Sequence, residues 1–373
     1  MQAWQYHNPV AVHFGWGVLE ELPRVLGGRD AVVVTFPQAR AAGLEERLRR
    51  MLGAKLRDIV PDVELNPEVS WFEARYGEFW KRNAGCTLVA VGGGSAIDTA
   101  KLLQVATEEG TFESLRAALA SGSQPGVARS LALIAVPTTA GTGSEVTPWA
   151  TLWDRSRAAP KKYSLHTGCT WPEAALVDPS LTLSAPAAVT RNSALDALSH
   201  ALESLWNVNS NPVSDTLAVE AARTVIATLP GLLGDPSSRE RRTSMSRASM
   251  TAGLAFSNTR TALAHAISYE MTLRHGLPHG LACSFTLPLV WRLAAGADGA
   301  RDAVLARVFG AEVEQPWARL AEFLRGVGVE TEFSAYGVDA GEARGMIETA
   351  LGGVRGRNFV NPSPRLDLAV AGA

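Results

Sequence analysis

Asp196 and His200 stand one helical turn apart in "RNSALDALSHALESLWN", residues 191 to 207. Leu195, Ala197, Leu198, Ala201, Leu202 and Leu205 surround them, enough apolar residues for a buried helix. A carboxylate and an imidazole buried there need partners, because leaving either unpaired is costly. At i and i+4 both side chains leave the same helix face, so they can pair with each other or share a metal. His265, in "TALAHAISYEMTLRHG", and His279, in "GLPHGLACS", are further candidate ligands. One carboxylate with three imidazoles suits a borderline ion such as Fe2+ or Zn2+, and does not suit Ca2+ or Mg2+. Taken singly, each buried histidine reads better as a satisfied core residue. Local spacing does not decide the matter, as an HExxH motif or paired CxxC motifs would.

Two glycine-bearing turns offer a second chemistry. In "TLVAVGGGSAIDTAK" a strand runs into three glycines and a helix opening at Ser95. Gly92, Gly93, Gly94 and Ser95 form a candidate pyrophosphate cradle, since glycine admits close backbone approach and a helix N-terminus favours anions. The alternative is a tight turn needing glycine for geometry alone. "PTTAGTGSEVT", residues 137 to 147, crowds Thr138, Thr139, Thr142, Ser144 and Thr147 beside Gly141 and Gly143. In a parallel sheet both turns lie at the carboxyl ends of strands, where ligands bind.

These groups need two kinds of scaffold. Residues 1 to 182 read as alternating strands and helices, with "DAVVVTF", "CTLVAVGGG" and "SLALIAVPTT" as strands; this predicts a Rossmann-like parallel sheet with helices on both faces. From residue 183 to 373 helical patterns follow at 190–206, 211–229, 240–274 and 280–296, predicting an all-helical domain. "LDLAVAGA" reads as a loosely held tail. The 373 residues are 46% hydrophobic and 19% charged with net charge −2, so no cationic footprint for nucleic acid or a membrane surface exists. No uninterrupted apolar run reaches the roughly 20 residues of a membrane span, and the first residues lack a signal-peptide pattern. Cys86, Cys169 and Cys283 are widely spaced, which fits a reducing cytoplasm.

"VGGGSAIDTAK", "PTTAGTGSEVT", "DALSHALESLWN" and "HAISYEMTLRHGLPHG" stand in the order and approximate spacing of the iron-dependent alcohol dehydrogenases, which the chain resembles over nearly its whole length. The resemblance implies a nucleotide domain, a helical domain, and metal ligands Asp196, His200, His265 and His279. It implies that Gly92 to Ser95 with Asp98 hold the pyrophosphate of NADH or NADPH. Thr138, Thr139, Thr142, Ser144 and Thr147 would line the nicotinamide side, with Lys161 or Lys162 near the ribose. Many members carry a histidine four residues after the third ligand. Here that position is Tyr269, so Tyr269, a water, a cofactor hydroxyl or His275 must deliver the proton. Phe36 stands where NAD-preferring members often place an Asp, which leaves the choice of dinucleotide open.

"ATLWDRSRAAPKKYSLHTG" and "ESLWNVNSNPVSDTLA" are most similar to the phosphonoacetaldehyde reductase branch. That resemblance implies a small aldehyde with an anionic tail, reduced to a primary alcohol. Arg260, Arg274, Arg357 and Asn358 are the candidate residues for its anion; Arg260 stands out, because the spacing puts it on the same helix as His265. Other readings are a short-chain alcohol or lactaldehyde-type dehydrogenase and a dehydroquinate-synthase-like cyclase, which net cofactor turnover separates. Family analogy implies a homodimer or larger.

Overall fold

A computed structural model describes residues 3–156 and 160–366. The chain divides into a sheet unit, Asn8–Thr139 with Ser144–Thr182, and a helical unit, Met1–His7, Ala140–Gly143 and Leu183–Ala373. Residues 140–143, expected with the nucleotide domain, thus belong to the helical unit. Beyond Leu366 the expected loose tail lies outside the described residues.

The sheet unit is built from β1 (Ala11–Phe14), β2 (Ala31–Thr35), β3 (Leu56–Val60), β4 (Thr87–Gly92), β7 (Leu133–Pro137) and β10 (Ala174–Val177), all parallel in the order β1-β10-β7-β4-β2-β3. Short strands β5 (Val105–Ala106) and β6 (Arg129–Ser130) pair antiparallel, as do β8 (Ala150–Asp154) and β9 (Lys161–Leu165). Its helices are α1 (Leu22–Leu26), α2 (Leu44–Leu52), α3 (Val69–Asn83), α4 (Gly94–Gln104) and α5 (Phe112–Ala120).

The β-branched runs of β2, β4 and β7 are wholly buried because both faces of the sheet are covered. Val32, Val34, Leu88, Ala90, Leu133 and Ala135 face Phe72 and Tyr76 of α3, Ile97 of α4 and Leu115 of α5. The alternate residues Val33, Val89, Val91, Ile134 and Val136 face Leu22 and Leu26 of α1 and Leu44, Leu48 and Leu52 of α2. The period of two sends successive side chains to opposite layers. Each fully buried Val or Leu contributes about 1.5–3 kcal/mol.

The helical unit comprises α6 (Ala187–Leu205), α7 (Pro212–Gly234), α8 (Arg239–Thr259), α9 (Leu263–His275), α10 (His279–Ser284), α11 (Leu287–Ala294), α12 (Gly299–Ala306), α13 (Pro316–Gly326) and α14 (Ala340–Gly352). Asn211 starts α7 with a capping box, its Oδ1 accepting from the Val213 and Ser214 N–H groups while the Asn211 N–H donates to Ser214 Oγ. α7 has the length and mean hydropathy to cross a membrane. It also carries Asp215, Glu220 and Arg223, and it buries Ala218, Ala222, Val225 and Leu229 in the core of this unit.

One expectation fails instructively. Residues 240–274 are two helices, broken at Arg260, whose φ of 67° ends α8. The carbonyls freed by the break are taken up by asparagines from elsewhere in the unit. Asn209 Nδ2 donates to the Thr259 oxygen at 3.3 Å, Asn207 Nδ2 to the Arg260 oxygen at 3.1 Å, and Asn358 Nδ2 to the Thr261 oxygen at 2.8 Å. Buried carbonyls need such partners, and these are what make the break tolerable. The 280–296 pattern also splits, at Phe285 and Thr286.

Candidate metal centre and nucleotide turns

α6 is buried almost all round over its last three turns, and Asp196, His200 and Glu203 on it are each no more than 6% exposed. Three imidazoles converge on one oxygen of Asp196. Its Oδ1 lies 3.5 Å from His265 Nε2, 3.9 Å from His200 Nε2 and 3.9 Å from His279 Nε2. These separations are too long for hydrogen bonds. They are close to the spacing of about 3.4 Å between ligand atoms set tetrahedrally around an ion at about 2.1 Å. Buried Asp196 Oδ1, His265 Nε2 and His200 Nδ1 have no hydrogen-bond partner among the described residues. A divalent cation would satisfy the first two, so the donor set fits a metal.

One close group of donor atoms differs by one member from the expected set. Asp196, His265, His279 and Cys283 each bring an atom within 4.8 Å of the others. Cys283 follows His279 by one turn of α10, its sulfur 3.6 Å from His279 Nδ1. The His200 ring is stacked on Phe256 at 4.1 Å and on His265 at 4.6 Å.

Sequence reasoning missed Glu203. It is fully buried, and its Oε2 accepts from His265 Nδ1 at 2.5 Å. A carboxylate can only accept here, so Nδ1 carries a proton and Nε2 is the nitrogen turned toward Asp196. Glu203 Oε1 takes the N–H groups of Ala264 at 2.6 Å and His265 at 3.2 Å, serving the open start of α9. A carboxylate behind a ligating imidazole is the usual support of a metal site.

The charges favour a cation at this point. Burial raises the Asp196 carboxyl, but His200, His265 and His279 outweigh it and hold the group well below the usual carboxylate range. Burial pulls His200 down to about 4, against Asp196, leaving the neutral imidazole that a metal requires. His265 is raised: burial opposes its charge, and Cys283, Glu203 and Asp196 prevail.

Other candidates lie elsewhere in the helical unit. His275 ends α9, ten residues or about 15 Å along the helix from His265. It faces Glu342 at 3.4 Å, so it is removed from the ligands. Arg274 is exposed and pairs with Glu270 and Glu342. Arg260 is not on the His265 helix. It is exposed at the break, where its backbone does the work. Arg357 is exposed, and Asn358 serves the Thr261 carbonyl. Tyr269 is one turn beyond His265 on α9. Arg355, absent from the sequence candidates, lies over its ring with the guanidinium carbon 4.8 Å from the centroid.

In the sheet unit the glycine turn is shaped by packing. A Cβ on Gly92 would lie 2.6 Å from the Ala96 Cβ, so this glycine lets α4 leave its strand steeply. Gly93 caps α4, and the Thr138 N–H donates to the Gly92 oxygen, joining the two turns. Gly94 opens the helix, and Ser95 Oγ accepts from the Asn66 N–H. Thr139 Oγ1 lies 3.3 Å from where a Gly93 Cβ would be. Asp98 accepts from Ser144 Oγ at 2.7 Å and the Thr151 N–H at 2.9 Å. Lys101, fully buried and also unforeseen, donates to Ser144 Oγ and to the Ser144 and Trp149 carbonyls. Ser144 and Thr147 are buried, so the loop beside them is fixed from inside. Thr142 belongs to the helical unit. Lys161 is exposed on β9, while Lys162 stacks on Trp153 with its Nζ 4.9 Å from the ring.

Known proteins match both units. Residues 9–179 match the family model described as iron-containing alcohol dehydrogenase, and residues 190–365 match that of the Fe-containing alcohol dehydrogenase family, C-terminal. The long-chain-alcohol dehydrogenase 1 of Geobacillus thermodenitrificans is 31% identical over 92% of this chain and 89% of its own. The 1,3-propanediol dehydrogenase of Klebsiella pneumoniae is 30% identical over 92% and 90%. The crystal structure of sulfoacetaldehyde reductase from Bifidobacterium kashiwanohense, in complex with NAD+, is similar with a TM-score of 0.86 and 29% identity over 99% of this chain and 97% of that one. With the sheet unit and the helical unit each matched by the corresponding half, this chain belongs to the iron-containing alcohol dehydrogenase family, as a metal- and nicotinamide-dependent oxidoreductase of alcohols or aldehydes.

Proposed function

We propose that the protein reduces a two-carbon aldehyde bearing a tetrahedral anion, with phosphonoacetaldehyde as the substrate and 2-hydroxyethylphosphonate as the product. The observation that carries this reading is the likeness, over 99% of the chain, to a reductase of sulfoacetaldehyde, an aldehyde of the same length with a sulfonate in place of the phosphonate. The motif resemblance to phosphonoacetaldehyde reductases supports the phosphonate.

In this reading Asp196, His200, His265 and His279 hold the divalent ion, and Gly93 to Ser95 with the threonine loop receive the dinucleotide. The ion supplies Lewis acidity toward a carbonyl oxygen, and the nicotinamide supplies the hydride. The chain's own contribution is orientation. Glu203 keeps the His265 Nδ1–H engaged, so that Nε2 presents its lone pair. Phe256 and His265 hold the His200 ring between them by stacking. Tyr269, one turn from His265 and at the position where many family members carry a histidine, delivers the proton in this reading. Asp98 and Lys101 hold Ser144 and so fix the loop after β7.

The test is oxidation of NADH and of NADPH by iron-loaded protein with phosphonoacetaldehyde, sulfoacetaldehyde and propanal in parallel. Preference for the anionic aldehydes by tenfold or more in kcat/KM supports the reading. Equal or better turnover of propanal overturns it while leaving the family activity intact.

A further inference from the structure

Resting on the anionic-aldehyde reading above, we propose that Arg355 is the anion receptor of the substrate pocket, binding the phosphonate while the aldehyde end faces the metal ligands. Two contacts fix this side chain. Its Nε donates to Thr261 Oγ1 at 2.9 Å, and its guanidinium lies over the Tyr269 ring at 4.8 Å. His265 and Tyr269 stand four residues apart on α9, and Thr261 lies two residues before that helix begins, so the two contacts flank the ligand His265 along the chain. Residues at this spacing share a helix face, and Tyr269 lies about 6 Å along α9 from His265. A short substrate can therefore reach from the ligands to Arg355.

The charge of Arg355 is uncommitted. Arg301 is paired with Asp215, Arg274 with Glu270 and Glu342, Arg325 with Glu332 and Arg344 with Glu348. Among the described residues no carboxylate pairs with Arg355, and the only described hydrogen bond of its side chain uses Nε. The two terminal nitrogens remain for a ligand, in the planar fork that matches two oxygens of a phosphonate or sulfonate. Stacking on Tyr269 sets the plane of that fork before the substrate arrives, and the half-buried position strengthens each charge-assisted bond. The same contact accounts for tyrosine where related enzymes often carry histidine: an aromatic face supports a guanidinium, whereas an imidazole gaining a proton would repel it.

The test compares wild type with Arg355→Lys and Arg355→Met, each first shown to be folded by its thermal transition and to hold its metal. Two readouts are taken: the ratio of kcat/KM for phosphonoacetaldehyde over propanal, and calorimetric binding of unreactive ethylphosphonate to the metal-loaded protein. The ratio should fall about 10–100-fold in Arg355→Met, in line with loss of a charge-assisted bond, and ethylphosphonate affinity should fall in parallel. Arg355→Lys, which keeps the charge but loses the fork, should fall between. If wild type prefers the phosphonate and Arg355→Met keeps that preference and its ethylphosphonate affinity, the assignment of Arg355 is wrong and the substrate reading stands. If wild type shows no preference, the substrate reading itself has failed. Equal loss on both aldehydes with unchanged ethylphosphonate binding would make Arg355 a structural residue and also overturn the proposal.

Discussion

Glu203 and His265 are joined across 62 residues of chain by a 2.5 Å contact from carboxylate to Nδ1, and the same carboxylate receives the backbone N–H of His265. One buried side chain thus orients the ring of a candidate metal ligand and sets the start of the helix that bears it. Glu203→Gln keeps an oxygen for the backbone donors but weakens the ring's acceptor. Metal affinity, read by competition with a chromogenic chelator, should fall about 10–100-fold, with the thermal transition moved much less. Glu203→Ala should lower both, because the N–H groups of Ala264 and His265 lose their acceptor. Unchanged metal affinity in Glu203→Gln would refute the orienting role.

The choice between His200 and Cys283 is open to a direct contrast. The family resemblance implies His200, while Cys283 is the fourth member of a close cluster with Asp196, His265 and His279. We expect His200→Ala to lose metal, and Cys283→Ser to retain both metal and turnover. Cobalt substitution reports independently, since a thiolate ligand would add a sulfur-to-metal charge-transfer band that Cys283→Ser abolishes. Such a band in the wild type would put Cys283 into the ligand set.

Asp196→Ala should abolish metal binding outright. It removes the carboxylate on which three imidazoles converge. Metal analysis after dialysis reads the result, and retention of one equivalent would refute the site.

Sequence showed these residues unevenly, for physical reasons. Asp196 and His200 stood out because their partners lie one turn away on an apolar helix. Glu203 lies in the same run, but its meaning depends on backbone groups that only folding brings near. The break at Arg260 carries no proline or glycine, and its stabilisers, Asn207, Asn209 and Asn358, are 50 or more residues distant. Arg355 was invisible for the same reason, its Thr261 partner being 94 residues away. The strands were readable because β2, β4 and β7 are buried on both faces and carry that in local composition.

The turn after β4 offers a stability test. Gly92→Ala would place a methyl 2.6 Å from the Ala96 Cβ and 3.3 Å from the Phe36 ring. Overpacking of this kind costs about 1–3 kcal/mol, so the thermal transition should drop by several degrees and dinucleotide affinity should weaken as α4 shifts. A transition equal to wild type would show that the turn has slack.

Glu145 gives stability a pH dependence of definite sign. Burial pushes its carboxyl up to about 7, against its own backbone N–H and Lys101. Between the usual carboxylate value and about 7 the native state holds a proton that the unfolded chain has released. Stability therefore falls as pH rises through that window, at about 1.4 kcal/mol per pH unit from this group. Lys101 acts oppositely at higher pH: burial lowers it to about 8, so the native state releases its proton first and stability rises from there toward the ordinary lysine value. Glu145→Gln should flatten the acid-side slope of transition temperature against pH; an unaltered slope would refute the assignment.

Asn358 reaches the Thr261 carbonyl, its own carbonyl receives the Val208 N–H, and Phe359 bridges to Asn207. The segment that locks the start of α9 thus follows it by 97 residues of chain. A nascent chain can finish its sheet unit while His265 still lacks that lock. The His265 side of the metal site is therefore completed late in the order of synthesis, since the residue that secures its helix start is made long after the helix itself.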